Sequence, residues 1–292
     1  MRGLKIALCV MVFLMALGLT LYPFISNYYA EMHQSTAIAG YTAAVSSMDN
    51  YTLYNAWQAA DEYNRSIEAI AMDGLNAIQS LNTAPDNYED YLNVNGDSIM
   101  GYIRIPLIDI TLPIYHGVEG DTLELGVGHL PGSSLPVGGT GTHTVLAAHS
   151  GLASQRMFSD LEQLQEGDRF YLNVLGDTMT YEVDQILVVK PDDATALGLD
   201  KVHDYVTLIT CTPFGVNSHR LLVRGHRVPN LIEDAAPTDI KVDPAPSTWR
   251  EQYKKGVLTG LGILVGCVIV PAIVWKIYRI RHPRRRYKHE KI

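Results

Sequence analysis

Cysteine is scarce: the 292-residue chain has three, Cys9, Cys211 and Cys267. Cys9 and Cys267 each lie inside a long apolar run, where a thiol packs as a small apolar group. That leaves Cys211 with no partner, so a disulfide framework is not expected. Charge is thin as well, at 18% Asp, Glu, Lys and Arg against roughly 25% in an average soluble domain. Basic residues are scarcest in the middle of the chain. Two lie in residues 1–5 and eight lie from Lys276 to Ile292, which leaves 13 against 30 acidic residues in 6–275, a net charge of −17. That balance argues against a nucleic-acid-binding core. No Cys/His spacing fits a zinc site. No G-x-S-x-G elbow is present, and no phosphate-cradling glycine loop follows a strand. Low-complexity tracts are missing too, and with 47% apolar residues wholesale disorder is excluded.

What the chain does have is two uncharged runs, Ile6–Ile25 and Gly256–Trp275, each of twenty residues. As helices they reach about 30 Å, the thickness of a bilayer's hydrocarbon core, and both are expected to span it. The first also has the basic start of a signal peptide. Its length and the following Tyr-Pro-Phe argue against cleavage. Tyr22, Tyr28, Tyr29, Trp275 and Tyr278 sit near the span ends, where interfacial aromatics belong. Arg2 and Lys5 before the first span, and the basic 276–292 tail after the second, put both termini in the cytoplasm. Lys254 and Lys255 oppose that bias and are outnumbered. The tail either grips anionic headgroups or serves as a plain stop-transfer anchor.

Seven segments follow: a cytoplasmic N-terminus (1–5), a span (6–25), an exported helical region (26–90), a β-rich region (91–228), a Pro/Asp-rich tether (229–255), a second span (256–275) and a basic tail (276–292). Asn27–Asn82 lacks proline and has little glycine, and its apolar residues Leu53, Trp57, Ala60, Ile67, Ile70 and Ala71 recur near helical spacing. One or two amphipathic helices are expected there, with an interruption marked by Tyr63 and Asn64. A linker covers Leu81–Asp90. After Asn95 the period changes to two, and strands are expected in 103–107, 110–114, 143–149, 169–175, 181–190, 206–211 and 219–228. One brief helix is expected near 158–164. Seven or eight short strands imply a closed β-barrel or a sandwich.

Three residues carry possible chemistry: Cys211 and His149 at the ends of expected strands, and Arg220 near the start of another. A thiolate attacks carbonyls, an imidazole passes protons, and a guanidinium stabilises a carbonyl oxygen that becomes negative. Each alone has an ordinary explanation. A cysteine after an apolar strand packs in a core, and a histidine beside a glycine turn sits on the surface.

Thr207-Leu208-Ile209-Thr210-Cys211, followed by Thr212-Pro213-Phe214-Gly215-Val216-Asn217-Ser218-His219-Arg220, resembles the active-site block of sortases. Ala147-Ala148-His149-Ser150-Gly151 is similar to their histidine segment, and Leu112-Pro113-Ile114-Tyr115-His116-Gly117 to an upstream strand. The resemblance covers roughly 90–228 and, with the second span, is strongest to class C, the pilin-polymerising members. It implies a mainly β fold: an eight-stranded sortase β-barrel with an N-terminal helical segment and two flanking transmembrane helices. It also implies transpeptidation at a Leu-Pro-x-Thr-Gly-type sorting signal, with Cys211 as nucleophile, His149 as general acid/base and Arg220 as donor to the substrate carbonyl. The acceptor it implies is a pilin lysine or, for an anchoring sortase, a cell-wall amine. No cofactor and no metal are called for. Arg224 shares the face of Arg220 on an expected strand and is assigned to packing or an ion pair. Many class C members carry a lid with Asp-Pro-aromatic. This sequence has no such tripeptide, and neither Asp73-Gly74-Leu75 nor Pro85-Asp86-Asn87-Tyr88 matches it. The rival of another class is a non-catalytic anchored ectodomain that binds peptides. Such a protein needs no unpaired exported thiol.

The charge count makes the topology testable. Protease added to intact cells or spheroplasts is expected to cut only between about residues 30 and 250. An epitope at the extreme C-terminus should survive, and its digestion would overturn the assignment.

Overall fold

The computed structural model describes residues 2–72, 87–150, 152, 154–230, 258–260 and 262. Two helices come first, α1 (Arg2–Ser47) and α2 (Asn50–Met72). Eight strands follow: β1 (Ile99–Ile105), β2 (Ile110–His116), β3 (Val127–His129), β4 (Thr142–Ala147), β5 (Arg169–Val174), β6 (Asp177–Val189), β7 (Asp204–Thr212) and β8 (His219–Val228). A short helix α3 (Gly120–Leu125) precedes β3. The strands close into a barrel in the order β1-β2-β3-β4-β7-β8-β6-β5. Closure explains why the chain needs no covering layer on its sheet edges. The barrel expected from the strand count is therefore present, and the sandwich is not.

Alternation builds its interior. On β1 the residues Ile103 and Ile105 point inward, and Leu112 and Ile114 do so on β2; Leu172 and Val174, Val206 and Leu208, and Val223 complete the filling. Burying each such side chain contributes about 1.5–3 kcal/mol. Close approach at one seam is met by glycine: a Cβ on Gly225 of β8 would lie 2.7 Å from the Phe170 ring of β5.

The helices join this barrel by polar bonds set within apolar faces. On α2, Ala60, Tyr63 and Ile67 follow helical spacing and are all buried. Asn64 lies among them, and its side-chain amide donates to the Leu135 carbonyl (3.1 Å) while its oxygen accepts from the Leu135 amide (2.6 Å). The expected interruption at Tyr63 and Asn64 is thus corrected: α2 runs through both. Asn64 is polar because it satisfies a loop backbone that enters the core. The real break falls at Met48–Asp49, where Asp49 caps α2 through the Thr52 amide (2.8 Å) and hydroxyl (3.0 Å). Those bonds hold the Asp49 carboxyl below its usual range. The brief helix expected near 158–164 is a single 3₁₀ turn, Leu161–Gln163.

Helix α1 is long and apolar enough to cross a membrane, by length and composition. Its side chains from Val10 to Ile25 are largely exposed, whereas Tyr41 and Val45 are buried against the barrel. The Tyr41 hydroxyl donates to the Met100 carbonyl and accepts from the Leu175 amide, both at 2.9 Å. The second expected span, the tether and the tail lie outside the described residues apart from 229–230, 258–260 and 262. So does most of the stretch compared with a lid, 73–86.

A buried polar cluster seats the segment ahead of β1. The Tyr88 hydroxyl meets Nδ1 of His129 at 2.8 Å, and His129 Nε2 faces the Ser134 carbonyl at 2.9 Å. A carbonyl only accepts, so Nε2 carries the proton and Nδ1 accepts from Tyr88. Burial pushes His129 down from 6.5 to about 4. His143, also buried, bonds the Gly198 carbonyl and the Thr207 hydroxyl and is lowered for the same reason. Between pH 6.5 and about 4 the unfolded chain therefore binds more protons than the folded one at His129. Stability is full above that window and is lost as pH falls through it, by about 3 kcal/mol from this histidine. Urea unfolding across that range should show the decline, and His129→Gln should make it shallower, with the share of His143 retained. An unchanged slope in the variant would refute the assignment.

Candidate active site

Strand β7 lies between β4 and β8. It pairs parallel with β4, Ala147 opposite Ile209, and antiparallel with β8, Cys211 opposite Arg220. The register alone therefore puts the two residues side by side across a ladder. Between them the chain turns through Pro213–Ser218, where the Val216 and Asn217 amides both donate to the Pro213 carbonyl at 3.0 Å. Cys211 is free and half-buried. It opens on a small recess lined by Ser150, Phe158, Glu162, Phe214 and Leu221.

His149 sits two residues beyond the end of β4, which corrects its expected position as the last strand residue. Its segment is nevertheless fixed to β7. The Ala148 amide donates to the Ile209 carbonyl (3.1 Å), and the Thr210 hydroxyl donates to the Ala148 carbonyl (2.8 Å). Ser150 Oγ donates to the Cys211 carbonyl (2.7 Å), and the His149 carbonyl accepts from the Phe158 amide (3.0 Å). With both neighbours bonded to the strand of Cys211, the His149 ring has little freedom of origin and keeps its side-chain rotations. Leaving the strand is what turns the chain over the barrel's rim.

The two arginines of β8 differ sharply. Arg224 donates to both carboxylate oxygens of Asp184, at 3.0 Å each, and lies over the Tyr205 ring at 4.1 Å. That is the ion pair expected for it, with one edge of the guanidinium committed to Asp184 and one face to Tyr205. Arg220 Nη1 reaches only the backbone carbonyls of Asn217 (3.4 Å) and His219 (3.2 Å). Among the described residues no carboxylate pairs with it, so its fork is available to a ligand's oxygen. His219, adjacent on the strand, is exposed and meets Ser218 Oγ.

Sequence reasoning missed the supports. Ser150 and Thr210 stitch the histidine segment to β7, and the only signal was their place next to His149 and Cys211. The buried pair Arg156–Asp160 (3.2 Å) was missed as well. Arg156 also donates to the Ile108 carbonyl (2.7 Å), anchoring the loop that follows His149. Among the described residues no three His, Cys, Asp or Glu side chains gather as a metal site needs.

The arrangement offers a thiol, an imidazole and an unpaired guanidinium at one rim, enough for acyl transfer through a covalent intermediate. Comparison with known proteins agrees with it. The sortase-domain family model matches residues 103–228. The curated Sortase D of Bacillus subtilis (strain 168) is 32% identical over 131 residues, which cover 44% of this chain and 63% of that protein. Among solved structures, sortase C1 of GBS Pilus Island 1 is 39% identical, with a TM-score of 0.63 over 68% of this chain and 99% of the other. Clostridium perfringens sortase C, solved with the C-terminal cell wall sorting motif, is 41% identical, with a TM-score of 0.59 over 67% of this chain and 100% of the other. The chain belongs to the sortase family of cysteine transpeptidases, and its structural neighbours include class C members.

Proposed function

We propose that this protein is a membrane-anchored transpeptidase that cleaves a Leu-Pro-x-Thr-Gly-type sorting signal between Thr and Gly and transfers the acyl group to a pilin lysine. The observation that carries the reading is the pairing of Cys211 with Arg220 across β7 and β8, beside a His149 segment stitched to the same strand. Likeness to class C neighbours supports the pilin acceptor over a cell-wall amine.

In the first half-reaction the Cys211 sulfur, as thiolate, attacks the Thr carbonyl carbon. The carbonyl oxygen takes the negative charge, and the Arg220 fork donates to it. His149 gives a proton to the departing glycine nitrogen as the C–N bond breaks, leaving a thioester on Cys211. A lysine ε-amine then attacks the thioester carbon and passes a proton to His149. The C–S bond breaks, the new amide forms, and Cys211 returns to its starting state. Ser150 and Thr210 take no part in the chemistry; they hold the histidine segment where both halves need it.

Two outcomes check this reading. Cys211→Ala should abolish the thioacyl adduct seen by mass spectrometry with a sorting peptide, while Cys9→Ala and Cys267→Ala leave it intact. Appreciable peptide cleavage by Cys211→Ala would overturn the nucleophile. Arg220→Lys should slow cleavage by about 10²–10³-fold, because an ammonium on a flexible stem does not reproduce the fork. Arg224→Lys should change the rate only a few-fold while lowering the melting temperature, since it breaks the Asp184 bidentate pair and the Tyr205 contact. A larger rate loss in Arg224→Lys would move the oxyanion donor there.

A further inference from the structure

Helix α1 touches the barrel at successive heights, and those contacts give the barrel a direction. Near the apolar stretch, the Asn27 side-chain oxygen accepts from the Arg156 amide (3.1 Å). Two turns on, Gln34 Nε2 bonds Gln155 Oε1 (3.3 Å) and lies by the Met157 sulfur (3.6 Å). After two more turns Tyr41 bonds Met100 and Leu175, and Val45 lies 3.6 Å from where a Cβ on Gly176 would be. From Asn27 to Val45 the helix advances about 27 Å at 1.5 Å per residue, so these contacts run the length of the barrel.

The same two ends are marked on β7. Phe158 and Ser159, just after Arg156, line the Cys211 recess. At the other end Asp204 shares a polar cleft of about 910 Å³ with Gly176, Asp177, Thr178, His203 and His226. Asp204 and Cys211 stand about 23 Å apart along the strand at about 3.3 Å per residue. The Cys211 end is thus the Asn27 end, and the Asp204 end is the Val45 end. Beyond Asn27 the helix continues into its exposed apolar stretch, with Leu14, Leu19 and Phe24 at 59, 67 and 52% exposure. Pro23 lies inside this continuous helix. A proline bend tilts the barrel on its stalk and leaves the order of its ends unchanged.

We propose that the rim carrying Cys211, His149 and Arg220 faces the lipid headgroups, so that an acyl donor enters the site from the membrane side of the barrel. This orientation rests on the membrane-anchored reading above. The turn nearest the nucleophile, Pro213–Ser218, is uncharged and exposes Val216. Asp192 and Asp193 lie beyond the end of β6 on the same rim, where Val189 pairs with Arg220, and they offset the positive charges of Lys190 and Arg220. With these charges balanced, the helix and not attraction to headgroups sets the height. The cleft at the far end opens away from the membrane.

Val216 and Val202 make a controlled pair, 70 and 72% exposed and at opposite ends of the barrel. In full-length protein with Cys9→Ala, Cys211→Ala and Cys267→Ala, reconstituted in phosphatidylcholine nanodiscs, V216C or V202C would carry a nitroxide. A nickel chelate on the lipid headgroup should relax the Val216 label strongly and leave the Val202 label near its value without nickel. Equal relaxation, or the reverse order, overturns the proposal. A second measurement uses the intact Cys211 enzyme with a seven-residue helical insertion between Ser26 and Asn27, which lifts the rim by about 10 Å with little rotation. Cleavage of a bilayer-anchored sorting peptide should fall about tenfold while a soluble peptide is cut at about the parental rate. An equal effect on both peptides also overturns it. If the parent enzyme cuts neither peptide, the transpeptidase reading fails, whereas the nitroxide result still decides the orientation.

Discussion

The ladder between β7 and its two neighbours is the constraint from which the rest follows. A strand bonded on both sides has its register fixed twice, and a slip by one residue would turn every side chain to the other face. Here such a slip would replace Arg220 by Leu221 opposite Cys211 and drive Arg220 towards the core, where Leu221 and Val223 now sit. Burying an unpaired guanidinium costs several kcal/mol. Core packing thereby polices the alignment of the reactive groups, and the enzyme needs no separate device to bring a thiol and a guanidinium together.

The histidine side of the site depends on side chains more than on a ladder. β4 stops at Ala147, and its continuation is held by hydroxyls from Ser150 and Thr210 and by the Phe158 amide. The loop after it is tied down by a buried Arg156–Asp160 pair with a further bond to Ile108. Helix α1 meets that same loop at Asn27 and Gln34. The segment bearing the imidazole is thus fixed from three sides, one of them the helix long enough to cross a membrane.

Much of this was legible in the sequence, for specific reasons. Strand β8 was read with the boundaries it has, His219–Val228, because its period-two pattern is bounded by turn residues on one side and a proline on the other. Cys211, His149 and Arg220 stood out through the motif around them. What escaped was whatever depends on a distant partner. Asn64 looked like a helix interruption because its reason for being polar is Leu135, 71 residues away. Asp49, the true cap, looked like one more polar residue in a polar stretch. β3 has three residues and α3 has six, too few for either period to register. Beyond their place next to His149 and Cys211, Ser150 and Thr210 gave no sign of their roles, since a hydroxyl that bonds across strands looks the same in sequence as one facing water.

The Pro213–Ser218 turn has a consequence for how such a protein diversifies. Its ends are fixed by Thr212 opposite His219, while its interior makes only local bonds and exposes Val216 and Asn217. Residues there can change without altering the ladder that sets the thiol against the guanidinium, yet one of them, Phe214, lines the recess beside Cys211. Selection for a new peptide would find its cheapest path through this turn, with the reactive chemistry inherited intact.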